Sequence, residues 1–139
     1  DLLGLLLGSE GALGVITRVG LRVRRLPEHR VYDALVFPGF AAGVDAFRDA
    51  AQSRATADVM RLSDEAETAT TLLMSGPSGI AGAALERYLR VRGVDVSSAS
   101  LAIVGWEGTD RDLVRARRAA TWRALKRHGG VSLGHGPGE

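Results

Sequence analysis

Between "VYDALVF" near residue 31 and "VSLG" near residue 131, apolar residues recur first at strand spacing, then at helix spacing, and back again. That alternation restricts the fold more than any other feature of the chain. The strand "VYDALVF" stops at Pro38 and Gly39, after which Phe40, Val44, Phe47 and Ala51 fall at helical intervals. "DVMRL" reads as a short strand, and Ser63 is placed to cap a helical turn in which Asp64 and Glu65 meet the positive end of the helix dipole. "SGPSG" is a loop, and a helix follows from Ile80 to Arg92 with Leu85, Tyr88 and Leu89 on its apolar side and Gly93 as a left-handed cap. The unbroken apolar centre of "SLAIVGW" predicts a strand covered on both faces. Thr109 with Asp112 resembles a capping box with a shorter acid, opening a long helix that ends at Gly129 and Gly130 before a last short strand, "VSLG". The order strand, helix, strand, helix, strand, helix, strand predicts an α+β fold, one sheet with helices packed on it.

Ahead of this block, Val15, Thr17, Val19, Leu21 and Val23 alternate with Arg18, Arg22 and Arg24, the pattern of a long half-buried strand from Val15 to Leu26. Pro27 ends it, and "PEHR" reads as a linker, so a domain boundary is expected between residues 1–27 and 28–139. Asp1 at one end and the glycine-rich "GHGPGE" at the other read as the ends of a piece of a longer protein.

A chain of 139 residues with 45% hydrophobic and 24% charged residues has enough apolar material for one ordinary core. It has no cysteine, so disulfides, thiolate metal sites and cysteine nucleophiles are excluded, and His29, His128 and His135 are too scattered to suggest a metal site. The net charge of +2 comes mostly from arginine, but the few aromatics do not interleave with it, so a solvated basic surface is expected rather than a nucleic-acid interface. "LLGLLLG" is interrupted by Gly4 and Gly8, which argues against a membrane span. A cytoplasmic location is expected.

The densest local signal is "GSEGALG", in which Gly8, Gly11 and Gly14 surround Glu10. It lacks the Lys-Ser or Lys-Thr of a phosphate loop and the spacing of a dinucleotide fingerprint. What it offers is a backbone that can take positive φ and approach a ligand closely, with amides free to donate to oxygen. Glu10 is able to accept from a ribose hydroxyl or from a neighbouring amide, and on spacing alone a tight turn between helix and strand is the simpler account. Arg61, inside the apolar "VMRL", needs a carboxylate, a phosphate or a flavin oxygen if it is buried, and none if it sits on the open face of an edge strand. The helix carrying Arg111, Arg115, Arg117, Arg118, Arg123, Lys126 and Arg127 has a modest apolar side in Leu113, Ala116, Ala120 and Leu125, and its charges are expected to face solvent. His135 lies between glycines in what reads as a fraying end.

"LLLGSEGALGVITRVGLRVRRLPE" closely resembles the end of the FAD-binding domain in flavoenzymes of the vanillyl-alcohol-oxidase type, whose usual form is GSEGTLGVIT followed by a strand and Leu-Pro. Ala12 departs from it, standing where threonine is common. "VFPGFAAGVDAFRDAAQSRATADVMRLSDEAET" and "GWEGTDRDLVRARRAATWRALKRHGGVSLG" resemble the cap domain of the alkyldihydroxyacetonephosphate synthases and their bacterial relatives. The resemblance implies the end of a PCMH-type FAD-binding domain over residues 1–27, then part of a ferredoxin-like cap with an antiparallel sheet covered by helices over 28–139. It implies FAD as cofactor, contacted by Glu10, Gly11, Ala12, Leu13, Gly14, Val15 and Ile16, with Arg61 in the flavin or substrate cavity and the catalytic residues outside this chain. The partners it implies are a small-molecule or lipid-like substrate and, as one option, a second copy in a homodimer. The competing expectation is a non-enzymatic α+β binding module whose basic helix faces an acidic partner.

Overall fold

The computed structural model describes residues 2–75 and 79–135. The centre of the expected "SGPSG" loop and the glycine-rich end after His135 lie outside the described residues. The strands are β1 (His29–Phe37), β2 (Val59–Leu62), β3 (Ser100–Gly108) and β4 (Val131–His135). The helices are α1 (Leu2–Leu6), α2 (Phe40–Gln52), α3 (Glu65–Ser75), α4 (Gly79–Val91) and α5 (Arg111–Arg127), with a 3₁₀ turn at Val96–Ser98.

The strands form a four-stranded sheet in the order β2-β3-β1-β4, every neighbouring pair antiparallel. Since β1 and β2 both run against β3, they are parallel to one another and are joined across it by α2; α5 joins β3 to β4 across β1 in the same way. This is the ferredoxin-like arrangement, with α3, α4 and the 3₁₀ turn inserted between β2 and β3.

Strand parity divides the core. Leu35, Phe37, Ala102, Val104 and Trp106 point from β1 and β3 to one face, where Ala46 of α2 and Val114 and Leu125 of α5 seal them. Each large side chain buried there contributes about 1.5–3 kcal/mol. The Trp106 indole keeps its hydrogen bond by donating to Thr121 Oγ1 at 3.1 Å inside the core. On the other face Val36, Leu101 and Val131 are covered by Leu89, Val94 and their neighbours on α4 and the following turn. That cover is partial: Ile103 and Val59 remain 38% and 37% exposed.

Several expectations are corrected. Residues 15–26 form no strand; Val15, Leu21 and Val23 are 89%, 79% and 85% exposed, because alternation makes a strand only where another strand accepts its hydrogen bonds. The linker is also shorter than "PEHR", since β1 begins at His29. The caps sit one residue later than expected: Asp110, not Thr109, accepts from the amides of Asp112 and Leu113, and Asp64, not Ser63, accepts from that of Glu67. Lastly, α2 buries Gly43, Ala46 and Ala50 rather than Val44 and Ala51, because it lies so close to the sheet that a Cβ on Gly43 would sit 2.6 Å from Leu62 Cδ1. Likewise α5 buries Val114, Thr121, Ala124 and Leu125, leaving Leu113 58% exposed.

Candidate functional site

The glycine loop takes the backbone its residues permit. Gly8, Gly11 and Gly14 have φ of 79°, 86° and 153°, and Glu10 between them has φ 49°. A side chain in that region costs on the order of 1–2 kcal/mol, so Glu10 holds local strain beside glycines that do not. One bond closes the turn, Ala12 N–H to the Ser9 carbonyl at 2.8 Å. Among the described residues the amides of Glu10, Gly11, Leu13 and Gly14 have no hydrogen-bond partner, and beyond the adjoining residues no atom lies within 4 Å of where a Cβ would stand on any of the three glycines. The loop therefore presents outward donors that an anionic or carbonyl oxygen can reach, the chemistry a flavin contact needs. Leu13 and Ile16 beside it are 57% and 61% exposed. The groove along the loop is lined by residues 6–18 alone and does not include Arg61.

Arg61 lies on the partly covered face of the sheet, paired in register with Ile103, which in turn faces Ala34. Its side chain is 64% exposed and forms an ion pair with Glu67 at the start of α3. The same face carries Tyr32, whose ring lies over Gly105 so closely that a Cβ there would be 2.4 Å from Tyr32 Cε1. The Tyr32 hydroxyl donates to Glu107 at 2.7 Å, and that bond to a carboxylate raises its pKa.

Acids on β1, on α2 and in the loop before β2 hold α5. The Arg118 guanidinium donates to both oxygens of Asp33, at 2.7 and 2.9 Å, and the Trp122 indole donates to the same carboxylate at 2.6 Å; Asp33 is 1% exposed. Arg117 reaches Asp58 at 2.9 Å and Arg127 reaches Asp49 at 2.8 Å. The helix expected to turn its cations to solvent therefore turns these three on the chain's own acids, which removes the main support for an acidic partner. Asp33 was missed in the sequence, where its signal was a lone acid in "VYDALVF" at the same strand parity as Val31, Leu35 and Phe37. Asp58 and Glu67 carry no comparable signal, because their partners are set by tertiary folding.

The family description "FAD linked oxidases, C-terminal domain" matches residues 26–136. The chain belongs to the FAD-linked oxidase family. It is 32% identical over 143 residues to an alkyldihydroxyacetonephosphate synthase of Trypanosoma brucei brucei, covering 99% of this chain and 23% of that protein. A synthase of the same name from Dictyostelium discoideum is 29% identical over 97% of this chain and 23% of its own length. This FAD-linked oxidase chain thus spans under a quarter of the curated relatives it matches. A solved alkyldihydroxyacetonephosphate synthase superposes with a TM-score of 0.78 at 29% identity, over 99% of this chain and 27% of that one. Its α+β architecture, the FAD of its family and the enzymatic character of its relatives agree with the resemblance read from "GSEGALG" and the cap-like segments.

Proposed function

We propose that this chain is part of an FAD-dependent enzyme of the alkyldihydroxyacetonephosphate-synthase type, acting on a lipid-like substrate that bears a phosphate. Residues 1–27 are the last part of its flavin-binding domain, and residues 28–139 the first part of its substrate-binding cap. Glu10, Gly11, Ala12, Leu13, Gly14, Val15 and Ile16 contact the flavin, mainly through the backbone. Ala12 supplies no hydroxyl, so the contact there is the amide and methyl alone. Arg61 offers its guanidinium to an oxygen of the substrate or flavin. The bound flavin supplies the reactive ring, while these residues bind and orient it.

The observation that carries this reading is that the likeness to the synthase runs through 99% of the chain, loop and sheet alike. It is tested on the full-length protein. Purified protein is expected to absorb as a flavoprotein, and to exchange a fatty alcohol for the acyl group of an acyl-dihydroxyacetone phosphate without net redox. Hydrogen peroxide from substrate and oxygen would instead assign an oxidase, and no spectral response to added FAD would sink the enzyme reading. Arg61→Ala is expected to lower kcat/KM at least about tenfold, with Arg123→Ala, also at an exposed position, as the control that leaves it unchanged.

A further inference from the structure

An exposed ion pair between two freely moving side chains contributes little. The Arg61–Glu67 pair is built differently, because the turn that carries Glu67 is fixed at three points. Asp64 Oδ1 accepts from the Glu67 amide at 2.7 Å, setting the backbone from which that side chain leaves. One residue before Ala66, Glu65 Oε1 accepts from the Phe40 amide at 2.9 Å, tying the same turn to the start of α2. One residue beyond Glu67, Thr68 is wholly buried, and its Oγ1 accepts from the Leu101 amide at 2.8 Å, tying the turn to β3. Helix α2, strand β3 and the helix's own cap therefore hold the first turn of α3 in place, and Glu67 leaves that turn toward β2. Arg61 is held through its backbone by the β2–β3 ladder. The long arginine side chain is the one loose part of this arrangement, and Glu67 grips its tip through Nη2.

Among the described residues Glu67 is the sole partner of that guanidinium, so the rest of the donor fork is available to a ligand. We infer that Glu67 is the positioning residue for Arg61: it orients the guanidinium on the open sheet face so that the remaining N–H groups meet an anionic oxygen of the substrate, such as a phosphate. Glu67 does not touch the ligand. It removes rotamer freedom that Arg61 would otherwise lose on binding. This inference rests on the role given to Arg61 above.

The test is a double-mutant cycle in the full-length, FAD-loaded protein. Glu67→Ala lowers kcat/KM about tenfold, and Glu67→Gln, which keeps an acceptor oxygen at the same reach, restores most of the loss. Inorganic phosphate, used as a competitive inhibitor, binds more weakly to Glu67→Ala than to the parent. In an Arg61→Ala background, Glu67→Ala has no further effect, since nothing remains to position. Flavin content and melting temperature stay at parental values in both Glu67 variants, because the carboxylate is 45% exposed and its loss leaves the cap and both tethers in place. Additive losses from Arg61→Ala and Glu67→Ala would overturn the inference and leave the role of Arg61 standing. An Arg61→Ala protein with parental kcat/KM and phosphate inhibition would remove both together.

Discussion

Arg54 stands where its neighbours in the fold use glycine. Helices α2, α4 and α5 end alike, with the two amides after the cap bonded back to the second-last and third-last helical carbonyls: Arg54 to Ala51 and Ala55 to Ala50, Gly93 to Arg90 and Val94 to Leu89, Gly129 to Lys126 and Gly130 to Leu125. The left-handed residue is Gly93 in α4 with φ 78°, Gly129 in α5 with φ 81°, and Arg54 in α2 with φ 54°. A Cβ in that conformation is strained, so Arg54→Gly is expected to stabilise the protein by roughly 1 kcal/mol, seen as a higher urea midpoint at unchanged m-value. The glycine ends of α4 and α5 were legible in the sequence, because Gly93 and Gly129 follow periodic runs. The end of α2 was not, since arginine carries no mark of positive φ.

At the scale of elements, α5 is fastened to β1 through Asp33, the shared acceptor of Arg118 and Trp122. Asp33→Ala removes that acceptor from a position 1% exposed. The expected loss is about 3 kcal/mol, reduced from the usual cost of breaking a buried pair because Arg118 is 31% exposed; chemical denaturation measures it. The same element shows what a linear reading reaches. Its existence, length and glycine end followed from periodicity, and so did the order of the strands and of α2, α4 and α5, whereas α3, expected only as a helical turn after Ser63, runs from Glu65 to Ser75. Its buried stripe did not, because Arg117 and Arg118 read as surface cations until Asp58, from the loop before β2, and Asp33, from β1, arrive from 59 and 85 residues away. The caps slipped by one residue for a local reason: Thr109 and Asp110, like Ser63 and Asp64, are adjacent residues that are both good caps, and only the start of the helix chooses between them. Residues 15–26 failed differently, since their pattern was right for a strand but pairing is not a property of one segment. Of the candidate site, the glycine backbone was legible and the ion pair to Glu67 was not.

The molecule as a whole is tied together by carboxylates that must stay ionised. Asp58 is held below the ordinary carboxyl range, first by the Arg117 guanidinium and also by the Glu107 amide; Asp49 is lowered first by Arg127, and Asp95 by the Ser97 amide. Because these folded-state values lie below the unfolded ones, their contribution is complete above about pH 4 and is lost as pH falls through the folded values. Stability is therefore expected to decline on acidification below about pH 4. Asp58→Asn is expected to be less stable than the parent at pH 7 and nearly equal to it once Asp58 is protonated, so the gap between their urea midpoints closes in acid. A gap of constant width would show that the carboxylate charge is not what joins α5 to this edge of the sheet.

The two-sided sheet also sets how mutations distribute their effects. Along β3, Ala102, Val104 and Trp106 are wholly buried under α2 and α5, whereas Ile103 between them looks out beside Arg61. With the substrate role proposed for Arg61, a step of one residue passes from positions where a change is felt as lost stability to positions where it is felt as altered binding, with the backbone ladder common to both. On that proposal, ligand preference is retuned at alternate residues of a strand whose remaining residues keep the protein folded.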